Sequence, residues 1–271
     1  LSPIPAGARV PSAGAAHTGL GLAALILLAW IASLVVLLPA DLGSLPLPLL
    51  ALAVLIRTLL HTGLFIVAHD AMHGLLLTGR PQANHQLGQL ALGLYGCLPY
   101  GACRANHIRH HQAPGSADDP DHRPDPESAG LRWYLHFLAG YLSGAQMLLL
   151  LGCWGLLIGV AAVGPGPGSV QSGLVHVFLF CTLPLLLSSL QLFVFGTYLP
   201  HRDPRGAGNR HHARSLELPE WLSLLACYHF GYHWEHHEFP ALAWFQLPRQ
   251  RAFALQRRNS SCPLAAPSAP H

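Results

Sequence analysis

Three short segments concentrate the chemistry of this chain: HDAMH carries His69 and His73, HIRHH carries His107, His110 and His111, and HWEHH carries His233, His236 and His237. Residues three and four apart share one helix face, so each cluster presents its imidazoles side by side. Neutral imidazole is a good ligand for iron, zinc, copper and nickel. One such ion takes only about three or four protein ligands, so eight converging histidines suit two ions. The zinc-protease pattern HExxH is absent, because Glu235 follows Trp234 instead of a histidine.

Other polar residues can extend this site. His201 closes GTYLPH and is expected as a ninth ligand, while His211 and His212 in NRHHARS are open between ligation and an orienting role. A ligating histidine commonly gives its second N–H to a carboxylate, a task open to Asp70 beside the first cluster and to Asp118, Asp119 and Asp121 beside the second. The DDPD run serves equally well as a plain turn. His61, His136 and His176 stand alone in or near apolar stretches and are expected as hydrogen-bonded core or headgroup residues. His85, His122 and His229 are left undecided. Six cysteines occur without a CxxC pair, which excludes a thiolate zinc site and an iron–sulfur cluster. GLGLAA at 19–24 has no preceding strand and opens an apolar run, so it is not a dinucleotide fingerprint.

The elements that must position these groups are those of an all-α membrane protein. Only 10% of residues are charged, 51% are apolar and the mean hydropathy is +0.36. Spans are expected near 19–40, 48–68, 138–163 and 173–199, each long enough for a hydrocarbon core of roughly 30 Å. The apolar pieces 86–99 and 220–230 are too short to cross and read as re-entrant or interfacial helices. Every Lys/Arg position is arginine, and the connections 41–47 and 164–172 hold none. The positive-inside rule then places both termini, both long loops and all three clusters on the cytoplasmic side. Residues 1–17 and 259–271 are rich in Pro, Ala and Ser and read as unfolded tails around a domain at 18–258. Arg57 alone among the basic residues falls inside a span, where it either fixes helix packing through hydrogen bonds or lines a substrate tunnel.

The boxes and their flanks carry a resemblance. AHDAMHG at 68–74, NHIRHHQAPGSADDPD at 106–121, FGTYLPHR at 195–202, NRHHARS at 209–215 and ACYHFGYHWEHHEFP at 226–240 are similar to the bacterial β-carotene ketolases (4,4′-oxygenases) of the membrane fatty-acid desaturase and hydroxylase superfamily. The resemblance covers roughly residues 48–250. It implies a histidine-caged non-haem di-iron centre, O2 as co-substrate and a carotenoid drawn from a bacterial bilayer. It also implies an external electron donor, for which a reduced ferredoxin is expected, and no nucleic-acid partner. In the desaturases the ninth histidine lies within NxxxH, and Thr197 stands here in place of that asparagine. Reaction at C3 of the carotenoid ring or desaturation of an acyl chain are the alternatives within this chemistry. A metal transporter or sensor is the alternative outside it, although a transporter would be expected to hold its ligands near the bilayer midplane.

Overall fold

The computed structural model describes residues 13–125, 130–163, 168–202 and 208–260, and among these every regular element is helical. Four helices are long and apolar enough to cross a bilayer: Gly14–Leu37, Leu47–Met72, Gly144–Val163 and Val170–His201. The first two are α1 (Ala13–Leu37) and α2 (Leu47–Met72). After α2 come α3 (Pro81–Gly96), α4 (Tyr100–Gln112), α5 (Gly130–Tyr141) and α6 (Gly144–Val163). Lipid-facing side chains such as Leu28, Val36, Leu148 and Leu156 lie exposed on α1 and α6, as a hydrocarbon solvent requires.

Some boundaries differ from the sequence expectations. α1 starts at Ala13, inside the stretch 1–17, and the last helix runs to Ser260, just into 259–271; the remainder of both tails lies outside the described residues. The third span begins at Gly144 and not near 138, because Ser143 interrupts the helix and its Oγ accepts the Gln146 N–H at 3.2 Å. That capping bond starts a fresh helix and leaves α5 as a separate element. The piece 86–99 falls largely on α3, which starts earlier, packs along α2 and ends at Cys97 in the left-handed region, with φ 56°.

The fourth span is interrupted twice, and proline explains both places. It runs as α7 (Val170–Val177), a π-helical turn (Phe178–Thr182), α8 (Leu183–Leu192), a second π-helical turn (Phe193–Tyr198) and α9 (Leu199–His201). Pro184 and Pro200 have no N–H to offer the carbonyls four residues earlier, Phe180 and Gly196. A carbonyl left unpaired in an apolar interior costs about 1–3 kcal/mol. At Phe180 the deficit is met by Arg57, whose Nε donates to the carbonyl at 2.9 Å. The same guanidinium donates to Trp30 O at 2.8 Å and Ser33 Oγ at 3.0 Å and lies 4.7 Å from the Trp30 ring centroid. Arg57 is fully buried, so of its two expected roles the structure favours the interhelical fastener, joining α1, α2 and the fourth span.

A second polar bridge lies beside it. Trp30 Nε1 donates to His61 Nδ1 at 3.1 Å, and His61 Nε2 in turn donates to Tyr95 O at 2.6 Å, which fixes its tautomer. His176 reaches Ala40 O at 2.7 Å. His61 and His176 are thus hydrogen-bonded packing residues, whereas the third isolated histidine, His136, is exposed on α5 with its ring 5.6 Å from that of His122. The three final helices are α10 (Glu220–Cys227), α11 (His233–Glu238) and α12 (Leu247–Ser260). α10 exposes Trp221 and Leu225, the surface of an interfacial helix.

Candidate metal centre

The histidines come from four places in the chain. His69 and His73 end α2, where Asn84 ties down the following turn by donating to Ala71 O at 2.7 Å. His107, His110 and His111 lie on the last two turns of α4, His201 closes the fourth span, and His233, His236 and His237 lie on α11. α11 is only six residues long, so its orientation is set from outside. Glu235, fully buried between the ligand positions, bonds to Ser215 Oγ and pairs with Arg251 of α12 at 3.1 Å. The sequence held a signal for this role, an acidic residue inside a histidine box, which spacing arguments about metal ligands passed over.

The nine side chains divide into two groups whose ligand nitrogens lie within 4.8 Å of one another: His69, His73, His107, His111 and His236, and His110, His201, His233 and His237. The i, i+4 pairs stay together, His69 with His73, His107 with His111 and His233 with His237. Adjacent histidines separate, because one residue turns a helix by about 100°. His110 and His111 therefore face different groups, as do His236 and His237.

The residues fit two ions. Nε2 atoms approach in pairs at 2.7 Å (His73 and His107), 2.9 Å (His111 and His236), 3.2 Å (His69 and His236), 3.1 Å (His110 and His237) and 3.0 Å (His233 and His237). Nitrogens bound about 2.1 Å from one ion and at right angles stand roughly 3.0 Å apart. His110 and His201 keep their protons on Nδ1 through bonds to oxygen, so their Nε2 lone pairs face the group unprotonated, where a cation would take them. His201 Nε2 is buried with no hydrogen-bond partner, while its Nδ1 donates to His212 O at 2.9 Å.

The electrostatics agree with neutral ligands. Burial, reinforced by neighbouring histidines, holds His107, His111, His233, His236 and His237 well below the usual imidazole range. Burial and Arg104 bring His73 down to about 4. His110 differs: burial would lower it, but the Asp119 bond and the Asp121 and Asp119 charges outweigh that and raise it. Its Nδ1 donates to Asp119 Oδ1 at 2.9 Å, leaving Nε2 for the cage.

The carboxylate at the second cluster is thus Asp119 and not Asp118. Asp119 is buried and also accepts the Gly115 and Asp121 N–H groups at 2.8 and 2.9 Å. Asp118 is exposed, turned by the same loop into an open cleft of about 390 Å³ lined by Arg109, His122 and His136. Asp70 Oδ1 stands 3.5 Å from His69 Nδ1, beside the ligand but beyond hydrogen-bond length. His211 and His212 fall outside both groups. His211 Nε2 meets Glu238 at 2.8 Å, and His212, at φ 46°, contributes its carbonyl to His201. The three undecided histidines also find places outside both groups: His85 on Tyr100 OH, His122 on Asp119 O, and His229 stacked near Tyr232 and Trp244.

One apolar ring completes the cage. Phe230 stands 4.6 Å from His69 and 6.0 Å from His236, closing the side toward the apolar core. The assembly therefore presents two nitrogen-rich positions at one end of the spans, dry on the Phe230 side and held by hydrogen bonds on the other.

Comparison with known proteins agrees with this geometry. The chain is 42% identical over 207 residues to a Beta-carotene ketolase from Paracoccus sp., covering 75% of this chain and 80% of that one. A Beta-carotene ketolase from a second Paracoccus strain is 40% identical over 253 residues, covering 90% and 97%. Zeaxanthin 4-ketolase from Chlamydomonas reinhardtii is 36% identical over 200 residues, 72% of this chain and 42% of that longer one. Residues 44–259 match the description "Fatty acid desaturase", most of the chain and every histidine of both groups, and the chain belongs to the fatty acid desaturase family.

Proposed function

We propose that this protein is a carotenoid oxygenase that introduces keto groups at C4 and C4′ of β-ionone rings, converting β-carotene to echinenone and canthaxanthin. The observation that carries the reading is the two-part histidine cage in a chain alike over most of its length to relatives named as ketolases. Two irons held there would supply the activation of O2 that removal of hydrogen from carbon demands. His69, His73, His107, His111 and His236 would hold one, and His110, His201, His233 and His237 the other.

The chain's own contribution is placement. Asp119 keeps the His110 proton on Nδ1, the His212 carbonyl does the same for His201, and each bond presents Nε2 to the metal. Phe230 and the neighbouring core exclude water on the side from which a hydrocarbon would come. The allylic C4–H bonds are the weak ones of the ring. Replacing one hydrogen by hydroxyl gives the 4-hydroxy compound, and a second replacement at that carbon gives a gem-diol that loses water to the ketone. No flavin or nicotinamide fingerprint occurs in the sequence, so the electrons are taken to come from a separate carrier, a reduced ferredoxin docking on the arginine-bearing side.

Cells that make β-carotene and express this chain are expected to accumulate echinenone and canthaxanthin, with 4-hydroxy compounds as intermediates, on pigment chromatography. Zeaxanthin in their place would identify reaction at C3, and unchanged pigments with altered acyl unsaturation would identify a desaturase. The metal end of the spans is assigned to the cytoplasm on the arginine distribution. In a background lacking native cysteines, an impermeant outer label should reach a cysteine at position 169 in place of Ser169 and not one replacing Ser116. The opposite pattern would invert the assignment.

A further inference from the structure

Beyond the cage, one chain of hydrogen bonds leads from a ligand to an oxidisable side chain. His110 Nδ1 donates to Asp119 Oδ1 at 2.9 Å, and the same oxygen accepts the Asp121 N–H at 2.9 Å. The Asp121 carboxylate is buried and accepts the Tyr141 hydroxyl on both oxygens, at 3.0 and 3.2 Å. A single residue, Asp121, thus lies between the carboxylate that orients a ligand and a phenol. Tyr228 and Tyr232 give their protons to the carbonyls of Leu59 and Leu218, which cannot take a proton away, and Tyr100, whose hydroxyl meets His85 Nδ1 at 3.0 Å, lies outside the ligand-linked run from Asp119 to Asp121.

We propose that Tyr141 is a redox-active residue that discharges the metal centre when the centre is oxidised by O2 with no substrate in place. The inference rests on the di-iron reading above. An oxidant able to take hydrogen from carbon can take an electron from a phenol whose proton already rests against a base. The O–H bond of Tyr141 breaks, its electron passes to the oxidised metal centre, and its proton moves to a carboxylate oxygen of Asp121. A neutral phenoxyl radical remains. An electron from the external reductant, together with the proton held on Asp121, restores the phenol, so that atoms and charge balance. Trp133 is the competing donor, since it is fully buried and its Nε1 donates to Asp121 O at 3.0 Å, but a backbone carbonyl is too weak a base to take its proton.

The test is freeze-quench electron paramagnetic resonance on the purified iron-loaded protein, reduced and then mixed with O2 without carotenoid. A tyrosyl radical is expected, narrowed by ring-deuterated tyrosine, lost in Tyr141→Phe at unchanged iron content, and retained in Trp133→Phe. Asp121→Asn, which keeps a hydrogen-bond acceptor but removes the base, should lose the signal too. No radical in the native protein, a radical that survives Tyr141→Phe, or loss of iron from Tyr141→Phe would each overturn the proposal, the last by making the phenol a structural support. A native protein that forms ketone in cells yet shows no radical refutes this inference alone; one that forms no ketone and binds no iron refutes the reading beneath it.

Discussion

Alanine at any of His110, His111, His236 or His237 is expected to abolish ketone formation while leaving membrane insertion intact. Each of these imidazoles supplies an Nε2 to one of the two groups, and each doublet serves both, so one substitution removes a donor that nothing nearby can replace. The apolar spans that drive insertion are untouched. Pigment chromatography of the expressing cells, beside quantitation of the protein in washed membranes, reads both outcomes. Full activity in any of the four variants would contradict the cage.

A second large effect is expected outside the ligands. Asp119→Asn should lower metal affinity or activity by about 10–100-fold, the usual consequence of removing the hydrogen-bond partner of a ligating histidine. The amide offers a weaker, uncharged acceptor to His110 Nδ1 and disturbs the oxygens that now take the Gly115 and Asp121 N–H groups. Asp118→Asn should change neither, since that side chain faces open solvent. Competition of each variant with a graded chelator, read by residual metal, separates the two. Equal losses at positions 118 and 119 would show that the loop acts through its overall charge.

How much of this was legible in the sequence depends on whether the signal was periodic. The spans and the eight box histidines follow from apolar run length and helical spacing, both of which survive folding because a helix fixes them locally, while His201 follows from its place at the end of the fourth span. The division of the nine into two groups was present in the same spacing. An HH doublet must diverge by about 100° on a helix, yet that only acquires meaning once α4 and α11 are known to face each other. The choice of Asp119 over Asp118 was not legible, because it turns on the register of an irregular loop in which a one-residue change exchanges inside for outside. The same holds for His211 and His212, whose loop conformation, with φ 46° at His212, offers a backbone carbonyl and not a ring. Arg57 was visible as an anomaly from the start. Its partner, the carbonyl freed by Pro184, lies 123 residues away and belongs to tertiary structure.

On the function proposed above, the nine histidines hold two redox-active ions and not one structural ion. Metal analysis of the purified, detergent-solubilised protein, with Mössbauer spectroscopy of iron-57-loaded material, distinguishes the two. Close to two irons per chain are expected, both in nitrogen-rich non-haem environments. One zinc per chain, or a single iron that leaves either histidine group without metal, would contradict it.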